Sequence, residues 1–513
     1  ACVKHYCLNN IEYARLFSSS DASERTMREI YLRQFEIAMR AKPWTVMCSY
    51  NAVGGTYMAE NKKMFDILRS DLGFDGLIMS DWTAVKVESR SINAGLDLAM
   101  PYEKRVVEKL DEDYKNGLVD GDALNRCAAN VVALAEKCES ESKLRKVTLS
   151  KSEREQISKD IESEGIVLLK NNGVLPLNEG AKVLVTGAPE RKYYTGGGSA
   201  KVTPSKNYVR LGSALNALGF DSCYRESARE NVGGQMCMNG SMISCREEMK
   251  TRDVAIIEVG NPESCETECR DRQTIKLSRE EEDIIKYISK FTENVIVVVY
   301  AGSAVDMSEW IDDVSAVVWA GFGGQCVNEA VAEVLAGKIN PSGKLTETFP
   351  LSLDDVKAMH SYYDPETFAY QEGLFVGYRY FETENVPVLF PFGYGLSYSE
   401  FEYSNLSVKS RSDGGITAEF DVTNISDIDG AEIAELYIEG LSSESGRPKR
   451  ELKGFAKKPV GAHRTEHYEI DVCADDLRYF SEKTNSWQMP HSTLSVMIGK
   501  NCRDIVLEGK IKI

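Results

Sequence analysis

Strands and helices alternate at regular intervals over residues 1 to 105, and this alternation constrains the fold more than any other feature of the chain. The runs follow one another as strand 1–5, helix 24–39, strand 44–50, helix 62–70, strand 76–81, helix 85–94 and strand 96–100. Such alternation predicts parallel βαβ units, and four units make about half of an eight-stranded barrel. Because four strands would leave two barrel edges open, we expect the first half of this domain to be absent from the chain or supplied elsewhere.

Polar side chains stand where these predicted strands end, and Asp81 is the most informative of them. The apolar run that begins at Gly76 ends in Ser80 and Asp81, and Trp82 follows directly. In α/β folds the carboxyl ends of strands carry the chemistry, and an aromatic side chain offers the flat apolar face that a sugar ring requires. Asp81 is therefore a candidate nucleophile. A Ser-Asp pair after a strand is also typical of a helix N-cap, and that interpretation stays open here.

The rest of the chain predicts two further kinds of domain. Near-continuous apolar runs at 167–170, 182–187, 254–259 and 294–300 are typical of parallel strands covered on both faces. From about residue 400, runs at 416–424, 433–438 and 494–499 alternate apolar with polar residues, which predicts antiparallel strands of a small β-sandwich. We therefore expect a multidomain α/β plus all-β protein: half a (β/α)8 barrel at 1–105, a helical connecting segment at 106–160, an α/β sandwich domain at 161–399 and a β-sandwich at 400–513.

Composition excludes several classes of function. The 79 acidic residues outnumber the 61 basic ones, which argues against a nucleic-acid partner, and no apolar run approaches the length that spans a bilayer. The chain opens without a signal-peptide pattern, and its thirteen cysteines stand mostly alone. The close pairs Cys2/Cys7 and Cys265/Cys269 lack a second pair at ligand spacing, and the loop 196–200 lacks the ending of a phosphate-binding loop. We expect free thiols, a cytoplasmic protein, no metal and no cofactor.

A second carboxylate candidate lies in the loop 260–272, which follows the strand at 254–259. This loop holds three glutamates, one aspartate and two arginines. A charge-dense loop is usually solvated surface, and that interpretation stays open on composition alone. Hydrolysis of a glycosidic bond with retention, however, needs two carboxyl groups about 5 to 5.5 Å apart, and the two need not be close in sequence.

Ordered motifs along nearly the whole chain resemble glycoside hydrolase family 3, and most closely its β-glucosidases. They are Lys-His-Tyr at 4–6, Met-Cys-Ser-Tyr-Asn at 47–51, Gly-Phe-Asp-Gly-Leu-Ile-Met-Ser-Asp-Trp at 73–82, Ala-Gly-Leu-Asp-Leu-Ala-Met-Pro at 94–101, Gly-Ile-Val-Leu-Leu-Lys-Asn at 165–171, Gly-Lys-Ile-Asn-Pro-Ser-Gly-Lys-Leu at 337–345, Glu-Gly-Leu-Phe-Val-Gly-Tyr-Arg-Tyr at 372–380, Phe-Pro-Phe-Gly-Tyr-Gly-Leu-Ser-Tyr at 390–398 and Glu-Leu-Lys-Gly-Phe at 451–455. The family's domain order is barrel, α/β sandwich and fibronectin-III-like domain, so the resemblance implies that the C-terminal β-sandwich is fibronectin-III-like.

The resemblance implies a retaining, exo-acting β-glycosidase and assigns roles to individual residues. Asp81 fills the nucleophile position, Trp82 matches the aromatic that lines the pocket, and Tyr50 corresponds to a residue near the nucleophile. Lys4 and His5 match the pair that hydrogen-bonds sugar hydroxyls.

The proton donor implied by the resemblance is Glu268. The segment Glu-Thr-Glu-Cys-Arg-Asp-Arg at 266–272 resembles the β-glucosidase pattern Glu-Ser/Thr-Glu-Gly-x-Asp-Arg, whose second glutamate is the acid/base. Cys269 stands where the family has glycine. Since glycine often supplies a positive φ, a side chain at this position is expected to affect how the loop aims Glu268.

Three functional alternatives remain open from the sequence. The family's N-acetylglucosaminidases have the pattern Lys-His-Phe-Pro-Gly-His-Gly, and this chain differs from it after His5 at Tyr6, Asn9 and Asn10. This difference favours an unacetylated sugar as substrate and a glutamate as the acid. Terminal β-D-glucose, in an oligosaccharide or an aryl or alkyl β-glucoside, is the expected substrate. β-Xylosidase or arabinosidase activity on the same fold is the second alternative. The third is a non-catalytic carbohydrate-binding remnant, because in the family an Asp and an Arg from the other half of the barrel hold the innermost sugar.

Overall fold

The chain forms two compact units. The computed structural model describes residues 1–144, 147–187, 194–205, 208–225, 229–232, 235–238, 240–360, 362, 368–441 and 446–513. The first unit comprises Ala1–Thr148, Lys357–Leu374 and Phe480–Gln488, and the second comprises Leu149–Val356, Phe375–Tyr479 and Met489–Ile513. The division into four segments expected from the sequence stays a prediction.

The first unit is built from short strands and helices. Its helices are Glu24–Thr26, Arg33–Met39, Lys62–Asp66, Glu88–Ala94, Lys104–Lys115 and Gly121–Leu144, with π turns at Met27–Tyr31 and Ile67–Asp71 and 3₁₀ turns at Met58–Glu60 and Lys357–His360. Its strands are Cys2–Tyr6, Ser19–Asp21, Thr45–Cys48, Ala52–Val53, Thr56–Tyr57, Leu77–Trp82, Leu98–Met100 and Phe368–Ala369, and a hairpin pairs Tyr479–Ser481 with Ser486–Gln488. Ser23 and Asn61 cap the helices that follow them, since their side chains accept the backbone N–H groups of Thr26 and Met64.

The main sheet of the first unit positions the site. Its order is Cys2–Tyr6, Thr45–Cys48, Leu77–Trp82 and Leu98–Met100, and all neighbouring strands are parallel. The prediction of parallel βαβ units is therefore confirmed. The core of the unit includes the fully buried side chains of Tyr6, Phe65 and Ile78. Because parallel strands share one direction, their carboxyl ends meet at one edge of the sheet.

The second unit combines an α/β domain with a β-sandwich. Its helices are Lys151–Gly165, Leu211–Ala217, Gly240–Met249, Arg279–Ile288, Val327–Leu335, Tyr378–Thr383 and Ala474–Leu477, with 3₁₀ turns at Gly198–Ala200, Ile311–Asp313, Gly324–Cys326 and Leu353–Asp355. Reciprocal capping boxes start two of these helices, Ser150 with Glu153 and Ser278 with Glu281. Small antiparallel pairs join Arg229–Val232 to Gln235–Met238 and Phe349–Pro350 to Val388–Phe390.

The α/β sheet of the second unit has apolar cores on both faces. Its order is Asp221–Tyr224, Lys182–Gly187, Val254–Gly260, Val295–Tyr300, Ala316–Trp319 and Val167–Asn171. The first five strands are parallel. Val167–Asn171 runs antiparallel beside Ala316–Trp319, so the expectation of a parallel strand at 167–170 is wrong. Its first three residues are buried, and a continuous apolar run reports burial on both faces whichever way the strand points.

The C-terminal β-sandwich is antiparallel, as the alternating pattern predicts. One sheet orders Phe401–Ser410, Ile416–Asn424 and Thr465–Val472, and the other orders Glu451–Val460, Gly430–Glu439, Thr493–Gly499 and Ile505–Lys512. Along Ile416–Asn424 every second residue is buried, because successive side chains of a strand point to opposite faces. The multidomain α/β plus β-sandwich fold class is confirmed.

The cysteines that the structure describes are free thiols. None of the described helices combines the length and the apolar character needed to cross a membrane. The cytoplasmic location stays a prediction.

Candidate functional site

The carboxylate of Asp81 lies at the carboxyl end of the Leu77–Trp82 strand and accepts three hydrogen bonds. The Tyr50 hydroxyl donates to Asp81 Oδ1 at 2.9 Å, and the backbone N–H of Trp82 donates to the same oxygen at 2.7 Å. His5 Nε2 lies 3.1 Å from Asp81 Oδ2. The sheet order explains this convergence, since His5 comes from the Cys2–Tyr6 strand and Tyr50 follows Thr45–Cys48. Three of the predicted site residues, Asp81, His5 and Tyr50, are thus brought together within the first unit.

These contacts favour the ionised form of Asp81. Partial burial alone would raise the pKa of this carboxyl, but the hydrogen bonds from His5, the Trp82 backbone and the Tyr50 hydroxyl outweigh burial and hold the pKa below its usual value. The side chain of Asp81 keeps 15% of its surface exposed, so a ligand can reach it. A carboxylate that is ionised, fixed and accessible is what a nucleophile requires.

Backbone strain lies directly beside this carboxylate. Thr83 adopts a φ of +63°, which a β-branched residue rarely takes, and its N–H donates to Met100 O at 2.8 Å. Strained backbone of this kind tends to occur at functional sites, where surrounding hydrogen bonds hold it in place. The turn after Trp82 leaves the indole 53% exposed. Trp82 is therefore available as an apolar surface next to Asp81.

Lys4 takes no part in the hydrogen-bond cluster around Asp81. It is exposed and forms no hydrogen bond or ion pair with the residues that the structure describes. Arg15, which the sequence analysis missed, instead supports Tyr50: its guanidinium lies 4.6 Å from the centre of the Tyr50 ring and pairs with Glu12 at 2.9 Å. Arg15 is 8% exposed. Its segment shows no strand or helix periodicity, so no sequence signal indicated the contact.

Glu268 lies in the second unit, on the loop after Val254–Gly260. Its side chain is exposed, and the Ser199 hydroxyl donates to Glu268 Oε1. The backbone N–H of Gly197 donates to Glu266 O at 2.7 Å, which joins the two loops. Cys269 has a φ of +67°, so it adopts the left-handed conformation that glycine takes without steric cost. The effect of the Cys269 side chain on the direction in which the loop aims Glu268 stays a prediction.

The carboxylate of Glu266 anchors the same loop. Its Oε1 accepts from Asn261 Nδ2 at 2.6 Å and lies 3.4 Å from Arg272 Nη1, while Oε2 accepts the backbone N–H of Gly302 at 2.9 Å. Arg272 Nη1 also donates to Ser303 Oγ at 2.5 Å. The sequence analysis missed Glu266 as an anchor and Ser199 as a partner, although both lie in loops that it had noted. Their contacts depend on how loops distant in sequence fold against each other.

No group of three or more His, Cys, Asp or Glu side chains able to hold a metal ion occurs within the described ranges. The structure places Asp81 in the first unit and Glu268 in the second.

Comparisons of this chain with protein-family models and with known proteins agree on one family. The Glycosyl hydrolase family 3 C-terminal domain matches residues 166–398, the Glycosyl hydrolase family 3 N terminal domain matches 17–134, and the Fibronectin type III-like domain matches 432–502. The thermostable beta-glucosidase B of Acetivibrio thermocellus is 35% identical over all of this chain and 69% of its own length. The exo-alpha-(1->6)-L-arabinopyranosidase of Bifidobacterium longum is 32% identical over 98% of this chain and 68% of its own length.

Structural similarity agrees with the sequence matches. The crystal structure of a Bifidobacterium adolescentis GH3 beta-glucosidase superimposes with a TM-score of 0.93 at 32% identity, covering 99% of this chain and 75% of that one. The chain therefore belongs to glycosyl hydrolase family 3, a family of glycoside hydrolases.

Proposed function

We propose that this glycoside hydrolase is a retaining, exo-acting β-glycosidase that removes terminal β-D-glucose from the non-reducing end of its substrate. The observation that carries the proposal is the Asp81 carboxylate, held ionised by His5, Tyr50 and the Trp82 backbone at the carboxyl end of a parallel strand. Asp81 is the proposed nucleophile and Glu268 the proposed acid/base.

The reaction proceeds in two displacements. Asp81 Oδ attacks the anomeric carbon while the bond from that carbon to the glycosidic oxygen breaks, and Glu268 gives its proton to the departing oxygen. Water then attacks the anomeric carbon of the glycosyl-Asp81 ester, Glu268 takes a proton from this water, and the carboxylate of Asp81 is released. Two inversions give net retention, and each carboxyl group returns to its starting state.

The hydrogen bonds at Asp81 support its role in both steps. The carboxylate of Asp81 loses its negative charge when it attacks the anomeric carbon, because its electron pair forms the new bond. It regains the charge when the glycosyl ester is hydrolysed. The Tyr50 hydroxyl and the Trp82 N–H both donate to Oδ1, which leaves Oδ2, near His5, as the less occupied oxygen. Donors fixed before the reaction stabilise charge as it returns to Oδ1 without reorganisation at that moment.

Substrate recognition is assigned to side chains around Asp81. The exposed Trp82 indole offers an apolar face for the sugar ring, and His5 and Lys4 supply donors for its hydroxyls. The mechanism requires the carboxyl groups of Asp81 and Glu268 to approach within about 5 to 5.5 Å of each other during catalysis. The loop that carries Glu268 is anchored through Glu266 and Arg272, so its shape is defined before any approach.

An α-L-arabinopyranoside is the second candidate substrate. The similarity to the exo-alpha-(1->6)-L-arabinopyranosidases of two Bifidobacterium species, at 32% and 33% identity, supports it. An arabinopyranoside lacks the hydroxymethyl group that glucose carries at C5, so contacts to that group decide between the two substrates. Values of kcat/KM for 4-nitrophenyl β-D-glucoside, β-D-xyloside and α-L-arabinopyranoside measured on one preparation rank the candidates.

Trapping of the covalent intermediate tests the nucleophile. A 2-deoxy-2-fluoro glucoside with a good leaving group should add one fluoroglucosyl group to the chain, on the peptide that contains Asp81. Asp81→Asn should abolish labelling and lower kcat by roughly 10⁴-fold. Asp66→Asn, which changes an exposed aspartate of the same unit, serves as the matched control and should label normally. Absence of labelling in the unaltered chain, with no activity on any aryl glycoside, would favour the non-catalytic carbohydrate-binding alternative.

Leaving-group dependence tests the acid/base separately. Glu268→Ala should lower kcat/KM by about 10² to 10⁴ for an alkyl β-glucoside, whose leaving oxygen needs a proton, and by much less for 2,4-dinitrophenyl β-glucoside. Glu263→Ala removes another exposed glutamate of the same loop, one that pairs with Lys201 at 2.8 Å, and is the control. Equal losses for both leaving groups in Glu268→Ala would contradict the assignment.

A further inference from the structure

The glycine-rich loop 196–200 has no part in the proposed function, although it lies at the edge of the sheet that carries Glu268. It follows the strand Lys182–Gly187, and the Glu268 loop follows the neighbouring parallel strand Val254–Gly260. The chain continues from Lys182–Gly187 to Asp221–Tyr224 on one side and only then to Val254–Gly260 on the other. The two loops therefore flank the point where the strand order reverses, which is where open α/β sheets bind ligands.

The two loops pack backbone against backbone. The N–H of Gly197 donates to Glu266 O at 2.7 Å. A Cβ at Gly197 would lie 2.5 Å from Oγ1 and 2.6 Å from Cβ of Thr267, well inside van der Waals contact. Gly198 has a φ of +64°, and a Cβ there would lie 3.3 Å from Cβ of Glu268. Glycine at these positions thus allows an approach that a side chain at Gly197 would prevent.

Two side chains of this segment also contact the Glu268 loop. Lys201 Nζ pairs with Glu263 Oε2 at 2.8 Å, but both side chains are about half exposed, and surface ion pairs of this kind contribute little. The Ser199 hydroxyl donates to Glu268 Oε1. This hydrogen bond differs from the ion pair because it ends on the carboxyl group that the proposed reaction uses.

A hydrogen bond from Ser199 decides which oxygen of Glu268 carries the proton. A protonated carboxyl has one hydroxyl oxygen and one carbonyl oxygen. While Ser199 donates to Oε1, Oε1 is the carbonyl oxygen and the proton is on Oε2. Glu268 is exposed, and an exposed glutamate exchanges between several rotamers. Holding one oxygen reduces the number of these orientations and presents the other oxygen in a defined direction.

We propose that Ser199 is a positioning residue for Glu268. Its hydroxyl holds Oε1, so that Oε2 gives its proton to the departing glycosidic oxygen and takes a proton from water in the second displacement. The inference rests on the proposed function, in which Glu268 is the acid/base, and adds the residue that orients it. The absence of a side chain at Gly197 then has a physical reason, because it brings the loop close enough for the Ser199 hydroxyl to reach the carboxyl.

The leaving-group dependence of Ser199→Ala tests the positioning role. The value of kcat/KM should fall roughly tenfold for an alkyl β-glucoside and by less than about twofold for 2,4-dinitrophenyl β-glucoside, whose leaving oxygen needs no proton. Ser199→Thr keeps a hydroxyl and should stay within about threefold of the unaltered chain for both substrates. Ser264→Ala removes another exposed hydroxyl, on the Glu268 loop itself, and should leave both values unchanged. Circular dichroism establishes that the variants are folded.

A double-mutant cycle separates an action through Glu268 from a direct action on the substrate. In the Glu268→Ala background, Ser199→Ala should cause no further loss of kcat/KM for the alkyl β-glucoside, because the carboxyl that the hydroxyl orients is gone. The same tenfold loss in that background would overturn the positioning role, as would unchanged values in Ser199→Ala or a Ser199→Thr variant as slow as Ser199→Ala.

These outcomes leave the acid/base assignment intact, since Glu268→Ala alone tests it. Equal losses for both leaving groups in Glu268→Ala, or no hydrolysis by the unaltered chain, would instead remove the acid/base assignment and the positioning role of Ser199 with it.

Discussion

Removing the hydroxyl of Tyr50 should raise the pKa of Asp81 and leave the rest of the site in place. The hydroxyl donates to Asp81 Oδ1 at 2.9 Å, and the Arg15 guanidinium holds the ring of Tyr50 from 4.6 Å. Tyr50→Phe keeps the ring and its contact with Arg15. The substitution therefore removes one of three donors to the carboxylate, and His5 and the Trp82 N–H remain.

The size of the shift follows from the hydrogen bond that is lost. A hydrogen bond to a charged group contributes about 1.5 to 3 kcal/mol, but the protonated carboxyl also hydrogen-bonds to a hydroxyl, and Asp81 is partly exposed, so we take the lower end. Since one pKa unit corresponds to 1.36 kcal/mol, the pKa of Asp81 should rise by about one unit. The hydrogen bond from Tyr50 stabilises the ionised form of Asp81 and so lowers the pKa of this carboxyl. Removing the hydrogen bond therefore raises the pKa.

Two measurements check this shift. The first is the pH profile of kcat/KM for an aryl β-glucoside, whose acid limb should lie about one pH unit higher in Tyr50→Phe than in the unaltered chain. Well above the pKa of Asp81 in both proteins, the difference in kcat/KM that comes from ionisation of Asp81 should vanish. A carbon-13 NMR titration of the Asp81 carboxyl, assigned with Asp81→Asn, reports the same pKa without relying on turnover.

A matched control separates the local effect from a general one. Tyr403 in the β-sandwich also donates its hydroxyl to a carboxylate, Glu432 Oε1 at 2.8 Å, so Tyr403→Phe makes the same chemical change elsewhere. Its acid limb should match that of the unaltered chain. If the acid limb and the NMR pKa of Asp81 stay within about 0.3 unit in Tyr50→Phe, the hydrogen bond does not stabilise the carboxylate and the reasoning is refuted.

Three further predictions concern the second unit. Burial raises the pKa of Glu162 to about 8, so the free energy of unfolding should fall as the pH rises from about 4.5 to about 8, by at most about 5 kcal/mol. Glu162→Gln should remove most of this pH-dependent loss, and urea unfolding at both ends of the pH range measures it. Cys269→Gly should relieve the positive φ and raise stability by up to about 1 kcal/mol without lowering kcat/KM; a clear loss of stability would show that the Cys269 side chain contributes more than the strain costs. Glu266→Gln should weaken the tie to Arg272 and Gly302 and lower kcat about tenfold for alkyl glucosides but little for 2,4-dinitrophenyl glucoside; an equal loss for both would mean that Glu266 does not act through Glu268.

Local periodicity was sufficient to predict most of the architecture. The strand-helix alternation before residue 105 gave the parallel sheet, and the period-two pattern of Ile416–Asn424 gave the β-sandwich. Asp81 could be singled out because its position depends on one strand and its end. These features are encoded within five to ten neighbouring residues, where hydrophobic spacing and turn residues carry the signal.

Contacts between distant parts of the chain were decided only by the tertiary structure. Ser199 and Glu268 are 69 residues apart, and Tyr50 and Asp81 are 31 apart, so no local pattern indicates that either pair shares a hydrogen bond. The direction of Val167–Asn171 likewise depends on its neighbour Ala316–Trp319, because burial on both faces is the same for either direction. The sequence by itself determined which carboxylates are candidates, and the path of the chain decided which donors hold them, since hydrogen bonds depend on distance in space and not along the chain.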